Sequence, residues 1–340
     1  MKKHIFIVLS TIFLIGCTEQ TPDIYFSENI RIHNPKVSET IHLKGECLIN
    51  DLMGVANIEI ADQYLCLFLM AQDTLLNVYS TDGKYLSGFG TKGQGPNDFI
   101  GCRPNGGREM DDRQACIWIN DVGAAALKKV NIPLSIKKGC TVTQKINTKS
   151  MSINAFLSAT KEHLVQETMT PGNFDLSIYQ GNKELHREKI YQIDAQPSIS
   201  YYHSTMRLHP TQPLLVSAMF CINQINILNL DTKERLSMRI GKHTALDNII
   251  DKRETKLPKW TYYTDLRLTD KHILALYLNQ DYNETLEKAK SVEIHMFDLQ
   301  GNLLKILNIP EYLRNFCVSE DGKTIYGLVE DHSIYRYMIQ

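Results

Sequence analysis

The sequence lacks the short motifs by which many enzymes and cofactor-binding proteins are recognised. It has no H-E-x-x-H or H-x-H pair among its 11 histidines, no G-x-S-x-G elbow and no G-K-[ST] ending to a glycine-rich loop. These absences argue against a zinc protease, an α/β-hydrolase and a P-loop nucleotide-binding protein. We therefore assign no catalytic residue, no metal ligand and no cofactor from motifs.

Two partial matches to binding motifs fail when they are read in context. Residues 88–93 match G-x-G-x-x-G, but Gly95 and Pro96 follow where the helix of a dinucleotide site would begin. Asp281 begins a stretch that resembles a calcium loop, but Leu286 occupies the position that requires glycine. Neither stretch predicts a ligand.

The chain also has little excess charge and no long apolar run beyond its N-terminal segment. The 37 Lys and Arg residues against 38 Asp and Glu give a formal net charge of −1, which provides no general attraction to nucleic acid. No second apolar run is long enough to span a bilayer. We expect no nucleic-acid partner, and we predict membrane attachment only at the N terminus.

The N-terminal segment has the pattern of a bacterial export signal. Lys2 and Lys3 precede a short apolar run that ends Leu-Ile-Gly-Cys at Cys17. This ending resembles the lipobox of bacterial lipoproteins, which implies that Cys17 is lipidated and becomes the first residue of the mature protein. We predict a signal peptide over residues 1–17, a polar tether over residues 18–35 and a folded domain over residues 36–340.

The remaining seven cysteines do not form a recognisable framework. Their number is odd and no C-x-x-C pair occurs, so they predict neither a disulfide scaffold nor a zinc site. Several lie inside apolar strands, where a free cysteine behaves as a small hydrophobic residue. The sequence does not decide whether one or two disulfide bridges form in an oxidising compartment.

Helical periodicity is almost absent, and short strands separated by turn residues dominate the folded domain. Hairpin-type turns recur at Asp82-Gly83, Gly181-Asn182, Asp231-Thr232 and Gln300-Gly301. Their spacing fits a unit of about fifty residues. Residues 131–133 occupy the position where this spacing skips one turn, and an insertion near residues 280–290 lengthens the last interval. A unit of this length with four strands is typical of a β-propeller blade.

Six strand groups can be placed on this repeat, at residues 55–90, 115–147, 152–191, 204–240, 263–308 and 315–339. The last group shows only three strands, so we expect a strand at about Thr40 to Lys44 to complete it and close the ring. The alternative, an open array or two sandwiches, leaves long unpaired strand edges. The sequence therefore predicts an all-β, closed, six-bladed β-propeller.

A glycine-rich passage, GFGTKGQGPNDF at residues 88–99, follows the first strand group. With the lipobox and the six groups, it resembles the TolB-like six-bladed β-propeller lipoproteins of Bacteroidota-type bacteria. The residues that carry this motif are Gly93, Gly95, Pro96, Asp98 and Phe99. The resemblance implies the six-bladed fold and a lipid anchor in the outer membrane of the cell envelope. It does not indicate which side of that membrane the protein faces. NHL-repeat propellers share the strand pattern.

The connections between strands differ between the two ends of such a ring. In each blade, the turn between the first and second strands and the turn between the third and fourth strands lie at one end of the ring, which we call the tight-turn face. The other connections share the opposite end, the long-loop face, where residues 87–114, 192–202, 241–260 and 279–290 form long segments. Elaborated loops on a rigid scaffold commonly form a binding site.

The long-loop face supplies our candidate ligand-binding residues, which combine charges with aromatic rings suited to a sugar or an extended peptide. They are Lys92, Asp98, Arg103, Tyr201, Tyr202, His203, Trp260 and Tyr262. The structural alternative is that the aromatic residues pack between blades and that Asp98 and Arg103 form a salt bridge between blades.

Two functional hypotheses follow, and we favour the first. In the first, the protein is a non-enzymatic envelope propeller that binds a protein, peptide or glycan on its long-loop face. In the second, it is a propeller hydrolase, lyase or lactonase with a metal or acid–base site at the central channel. A purely structural scaffold is a third reading.

Overall fold

The computed structural model describes residues 30–36, 39–70, 72–150, 152, 154–158, 160–170, 173–192, 203–241, 260–281 and 291–339. Cys17, Tyr201, Tyr202 and most of the insertion near 280–290 lie outside these ranges. Within the described part of the chain, no helix is long and apolar enough to cross a membrane.

The described residues form six antiparallel sheets of four strands, two of which gain a fifth strand. Three strands belong to the N-terminal segment: β1 (Ile30–His33), β2 (Thr40–His42) and β3 (Gly45–Ile49). Blade 1 contains β4 (Val55–Ala61), β5 (Tyr64–Leu69), β6 (Leu76–Ser80) and β7 (Tyr85–Phe89). Blade 2 contains β8 (Cys102–Asp111), β9 (Gln114–Asp121), β10 (Ala126–Asn131) and β11 (Val142–Asn147). Blade 3 contains β12 (Ala155–Leu157), β13 (Leu164–Thr170), β14 (Asn173–Gln180) and β15 (Lys183–Gln192).

The second half of the ring follows the same order. Blade 4 contains β16 (Ser204–Leu208), β17 (Leu214–Met219), β18 (Ile225–Asn229) and β19 (Arg235–Ile240). Blade 5 contains β20 (Trp260–Leu268), β21 (His272–Asp281), β22 (Val292–Asp298) and β23 (Leu303–Ile309). Blade 6 contains β24 (Leu313–Val318), β25 (Thr324–Val329) and β26 (Ile334–Met338). The six predicted blades are confirmed.

The core of the described part of the chain consists of six hydrophobic clusters, and each lies between two neighbouring blades. Phe99 is fully buried in the cluster between blades 1 and 2. The remaining clusters join blades 2 and 3, 3 and 4, 4 and 5, 5 and 6, and 6 and 1. Because the last of these joins Leu328 to Leu67, the ring is closed by packing as well as by hydrogen bonds.

The N-terminal segment closes the ring one strand later than the sequence predicted. β3 (Gly45–Ile49) pairs with β26 as the fourth strand of blade 6. The predicted closing strand, residues 40–44, instead contributes β2, which lies parallel to β23 at the outer edge of blade 5. Both stretches have the short alternating pattern of a strand, and only the register across the ring distinguishes them.

Residues 30–33, predicted to end the tether, also form a strand. β1 lies parallel to β19 on the outer edge of blade 4, with Ile30 opposite Ser237 and His33 opposite Ile240. The Arg31 side chain donates from Nη1 to the carbonyl of Gln300 at 2.8 Å in blade 5. The N-terminal segment therefore covers the outer edges of three successive blades.

Blade 2 departs from the repeat at residues 131–133, where the sequence places a hairpin turn. A short helix, α1 (Ile132–Lys138), connects β10 to β11. Asn131 caps it by accepting from the Leu134 amide at 2.9 Å, and Pro133 occupies its first turn.

The glycine-rich passage is a compact loop held by Asp98. The Asp98 carboxylate accepts from Thr91 Oγ1 at 2.7 Å and from the Gly95 amide at 3.0 Å. A Cβ atom on Gly93 or Gly95 would lie 2.4 or 2.6 Å from Asp98 Oδ2, so the two glycines leave room for this carboxylate. Their backbone angles are not left-handed; in this loop only Gly90, with φ of 82°, needs that freedom.

All seven cysteines of the described residues are free thiols: Cys47, Cys66, Cys102, Cys116, Cys140, Cys221 and Cys317. Burial raises the pKa of the Cys221 thiol to about 12. Such a thiol packs as an apolar group.

Candidate functional site

The first strand of each blade lies innermost, and the six first strands surround a central channel. They begin at the long-loop face, because the crossover from the preceding blade enters there. Part of the predicted 87–114 loop is in fact the innermost strand of blade 2, β8. Arg103 and Arg108 consequently project from a strand that borders the channel.

A cavity of about 380 Å³ occupies the channel near the long-loop face, and all six blades contribute to its wall. We call it the channel cavity. Its polar lining includes Asn57, Arg103, Ser204, Arg207, Asp265 and Asn315. A smaller cavity of about 90 Å³ lies toward the tight-turn face, and Arg207 borders both.

Charged residues reach the channel because each interrupts an apolar strand. Glu59 stands between Ile58 and Ile60 in β4, and Arg267 stands between Leu266 and Leu268 in β20. In a strand, neighbouring side chains point to opposite faces. The apolar neighbours therefore enter the core between blades while the charged residue faces the channel.

Arg267 is fully paired within the channel. Its Nη1 lies 3.3 Å from Glu59 Oε1, and its Nη2 lies 3.1 Å from Asp265 Oδ2. The same guanidinium donates to the carbonyl oxygens of Phe316 and, at 3.2 Å, Ile58. Although burial opposes the charged form, Asp265 and Glu59 raise the pKa of Arg267. Arg267 thus links blades 5, 6 and 1.

Asp265 is held equally firmly. Its carboxylate accepts from the Leu266 amide at 2.8 Å and from the Phe316 amide at 3.0 Å. Only 5 % of its side chain is exposed. Asp265 is therefore a structural partner of Arg267, whereas Glu59 Oε1 forms an ion pair with Arg267 but no hydrogen bond.

Arg207 has far weaker compensation. Its Nη2 lies 3.8 Å from Glu59 Oε1 and 3.9 Å from Asp265 Oδ1, beyond hydrogen-bond distance. Its Nη1 donates to the Met206 carbonyl at 2.9 Å, but its Nε has no hydrogen-bond partner. Burial and the nearby Arg267 charge lower the pKa of Arg207. Arg207 is a buried cation whose two nearest carboxylates lie at ion-pair distance but form no hydrogen bond with it.

Three further residues that line the channel cavity each have a buried polar atom without a hydrogen-bond partner: Ser204 Oγ, Thr264 Oγ1 and Asn315 Oδ1. The Asn315 amide nitrogen donates to the Ala56 carbonyl at 2.8 Å, which fixes the orientation of the side chain. Buried polar atoms are nearly always hydrogen-bonded in folded proteins, so a group of unpaired ones around a cavity marks a place for water or a ligand.

Arg103 and His203 lie together at the mouth of the channel cavity. Both are exposed, and among the described residues no carboxylate lies within ion-pair distance of Arg103. The protein atoms packed around His203 and the nearby Arg103 charge lower the pKa of its imidazole. Of the predicted site residues, Arg103 and His203 are the two that the structure brings together, at the channel cavity.

Lys92 and Asp98 lie elsewhere on the long-loop face. Lys92 is exposed and pairs through its backbone with Phe99, and neither it nor Asp98 lines the channel cavity. The predicted salt bridge between Asp98 and Arg103 is absent among the described residues. Asp98 instead fastens its own loop, and Lys128 Nζ donates to its carbonyl oxygen.

Trp260 and Tyr262 belong to blade 5 packing and do not line the channel cavity. Tyr262 is completely buried in the cluster between blades 4 and 5, and burial raises its pKa to about 12. Trp260 packs against the same cluster. The complete burial of Tyr262 agrees with the structural alternative, and a ligand contact by this residue stays a prediction.

Sequence reasoning missed Arg207, Asp265, Arg267, Glu59 and Asn315, the polar centre of the channel. The available signal was a charge flanked by apolar residues in the first strand of a group, as in Ile-Glu-Ile, Met-Arg-Leu and Leu-Arg-Leu. Among the described residues, no group of three or more His, Cys, Asp or Glu side chains is arranged to hold a metal ion.

Comparison with known proteins identifies the family. The model of the TolB-like 6-blade propeller family matches residues 36–321, most of the chain. The protein belongs to this family of TolB-like six-bladed propellers, as its fold and glycine-rich loop predicted. No curated protein matches the chain significantly.

Two solved structures from Bacteroides share the fold. A Bacteroides fragilis protein described as exported has 12 % identity and a TM-score of 0.54, with 91 % of this chain and 99 % of that chain covered. A member of the DUF4221 family from Bacteroides vulgatus has 10 % identity and a TM-score of 0.51, with 90 % and 95 % covered. At such identities the likeness shows the architecture alone.

Proposed function

We propose that this protein is a lipid-anchored propeller of the bacterial cell envelope that binds a ligand in its channel cavity and does not transform it. The ligand is a glycan, a peptide or an exposed part of a protein, taken from the long-loop face. The lipobox-like ending at Cys17 and the description of the Bacteroides fragilis neighbour as exported support the location.

One observation carries the binding role. Four residues that line the channel cavity, Ser204, Arg207, Thr264 and Asn315, each have a buried polar side-chain atom without a hydrogen-bond partner. Leaving such groups unpaired costs about 1–3 kcal/mol each, and the cost is relieved when a ligand or water binds. A size of about 380 Å³ lies within the range of small-ligand pockets.

The enzymatic alternative has less in its favour, although His203 is an exposed imidazole at the mouth of the channel cavity and Glu59 Oε1 has no hydrogen-bond partner. A hydrolase or lyase at the channel needs a carboxylate or imidazole free to exchange a proton with a substrate. Glu59 and Asp265 are both engaged by Arg267. We therefore retain binding as the proposed role.

Blocking the cavity tests the role. In Asn57→Trp, a large ring on β4 fills the channel cavity, while Leu185→Trp adds the same ring to an exposed position on β15 as the matched control. Thermal-shift screening against envelope glycans, monosaccharides and peptides should find ligands that stabilise the wild type and the control but not Asn57→Trp. Ligands that stabilise all three proteins equally would refute binding in the channel.

The location is tested separately. Metabolic labelling with a radioactive fatty acid should modify the full-length chain and not Cys17→Ser. Equal labelling of both proteins, or of neither, would refute the lipid anchor.

A further inference from the structure

We infer that the channel cavity takes a small hydroxylated carboxylate, of which a hexuronic acid residue is the type example. The carboxylate would sit on Arg207, with ligand hydroxyl groups on Ser204, Thr264 and Asn315. This inference rests on the proposed binding role and adds the chemistry of the ligand.

The excess of positive charge calls for an anion. Arg103, Arg108, Arg207 and Arg267 border the channel, and the carboxylates of Glu59 and Asp265 lie closer to Arg267 than to Arg207. Arg108 donates a hydrogen bond from Nη1 to the Val318 carbonyl at 3.1 Å. A buried charge without a partner is costly, so an anionic ligand gains free energy here that a neutral ligand does not.

The free edge of Arg207 suits a carboxylate. Nε and Nη2 form one side of the planar guanidinium; Nε has no hydrogen-bond partner, and the nearest carboxylate oxygens to Nη2, those of Glu59 and Asp265, lie 3.8 and 3.9 Å away. A carboxylate binds such an edge through two parallel hydrogen bonds. Gly106, which borders the smaller cavity, packs closely against Nε, since a Cβ atom there would lie only 2.7 Å from it.

The remaining unpaired groups call for hydroxyl groups on the same ligand. Asn315 Oδ1 is an acceptor and requires an O–H or N–H donor, whereas Ser204 and Thr264 hydroxyls can donate or accept. Ser204 and Arg207 lie on β16, Thr264 on β20 and Asn315 on β24, so the groups surround the cavity. A sugar acid offers a carboxylate and several hydroxyls within one ring.

The mouth of the cavity favours the approach of an anion. Arg103 is exposed there without a carboxylate partner among the described residues, and Arg314 lies 3.8 Å from the exposed Glu330. Positive charge at an opening raises the local concentration of anions and accelerates their association in a salt-dependent way.

Isothermal titration of the full propeller with matched sugars tests the inference. Galacturonate and galactose differ only in the oxidation state of C6, as do glucuronate and glucose. We expect at least one of the two acids to bind at least ten times more tightly than its neutral counterpart. We also expect Arg207→Met to remove this preference, and Arg207→Lys to retain part of it. Arg187→Met, at an exposed arginine of β15, is the control and should bind as the wild type.

The outcomes separate the two levels of the proposal. Equal binding of acid and neutral sugars that Asn57→Trp abolishes would overturn the carboxylate inference and leave the binding role intact. Preference for N-acetylglutamate over both sugar acids would overturn the hydroxylated part. Absence of any ligand sensitive to Asn57→Trp would overturn both. If Arg207→Met does not fold, Ser204→Ala with Thr264→Val should weaken acid binding at least fivefold, and unchanged binding would count against the site.

Discussion

Arg207 and Arg267 lie in the same channel, but we expect Arg267→Met to lower the stability of the fold and Arg207→Met to leave it nearly unchanged. Arg267→Met leaves Glu59 and Asp265 buried without their cation and removes hydrogen bonds to two carbonyl groups. Removing one partner of a buried ion pair costs about 3–5 kcal/mol. Arg207→Met removes one hydrogen bond and two contacts longer than 3.7 Å, so it should change the free energy of unfolding by no more than about 1 kcal/mol.

Thermal unfolding translates these values into a measurable difference. With an unfolding entropy of about 2.1 cal/mol/K per residue over roughly 300 residues, a loss of 3–5 kcal/mol lowers Tm by about 5–8 °C. Arg267→Met should show this fall, while Arg207→Met should stay within about 2 °C of the wild type. Urea titration followed by the fluorescence of Trp118 and Trp260 provides an independent midpoint.

The comparison can refute the reasoning in two ways. Equal losses of Tm in both variants would show that Arg207 is as well compensated as Arg267. A stable Arg267→Met would show that Glu59 and Asp265 do not depend on it. In either case the distinction between a structural and a ligand-binding arginine would fail.

Three further predictions concern other parts of the chain. Burial raises the pKa of Glu167 to about 7, so the folded protein binds the proton of this carboxyl more tightly than the unfolded chain does. The free energy of unfolding should therefore fall by about 3 kcal/mol as pH rises from about 4.5 to 7. Urea titrations at a series of pH values should show this fall in the wild type and not in Glu167→Gln. Tyr262→Ala should lower the free energy of unfolding, measured by urea titration, by about 3–5 kcal/mol, because the substitution leaves a cavity between blades 4 and 5. Weaker sugar binding with unchanged stability would contradict the packing role of Tyr262. Asp98→Ala should increase proteolytic cleavage of residues 90–99 without changing ligand binding, and an uncut loop would contradict its role as a fastener.

The blades could be predicted because their signals are local. The Asp82-Gly83 turn and the alternating strands around it depend on residues close together in the chain, and the hairpin forms as expected, with Gly83 at a φ of 83°. Repetition of such units defines the ring without knowledge of distant contacts.

The N-terminal strands could not be placed because their partners are distant in sequence. β1 pairs with β19 and β2 with β23, each across more than 200 residues. Both pairs are parallel, and no turn type fixes the register of a parallel pair of this kind. The sequence predicted closure by the N-terminal segment correctly but assigned it to the preceding strand.

The channel charges were missed for a related reason. Arg207, Asp265 and Glu59 come from blades 4, 5 and 1, and only closure of the ring brings them together. Residues 201 and 202 attracted notice because aromatic residues next to charges are conspicuous in a sequence. A single charge in an apolar strand is less conspicuous, although in an innermost strand it indicates a residue that faces the channel.

The most direct test of the account is a crystal structure of the propeller grown with galacturonate, beside one grown without it. The account predicts that the sugar occupies the channel cavity, with its carboxylate on the Nε and Nη2 edge of Arg207 and hydroxyl groups on Ser204 and Asn315. A cavity that holds only water at a saturating concentration of the sugar, or a sugar bound at another surface, would contradict it.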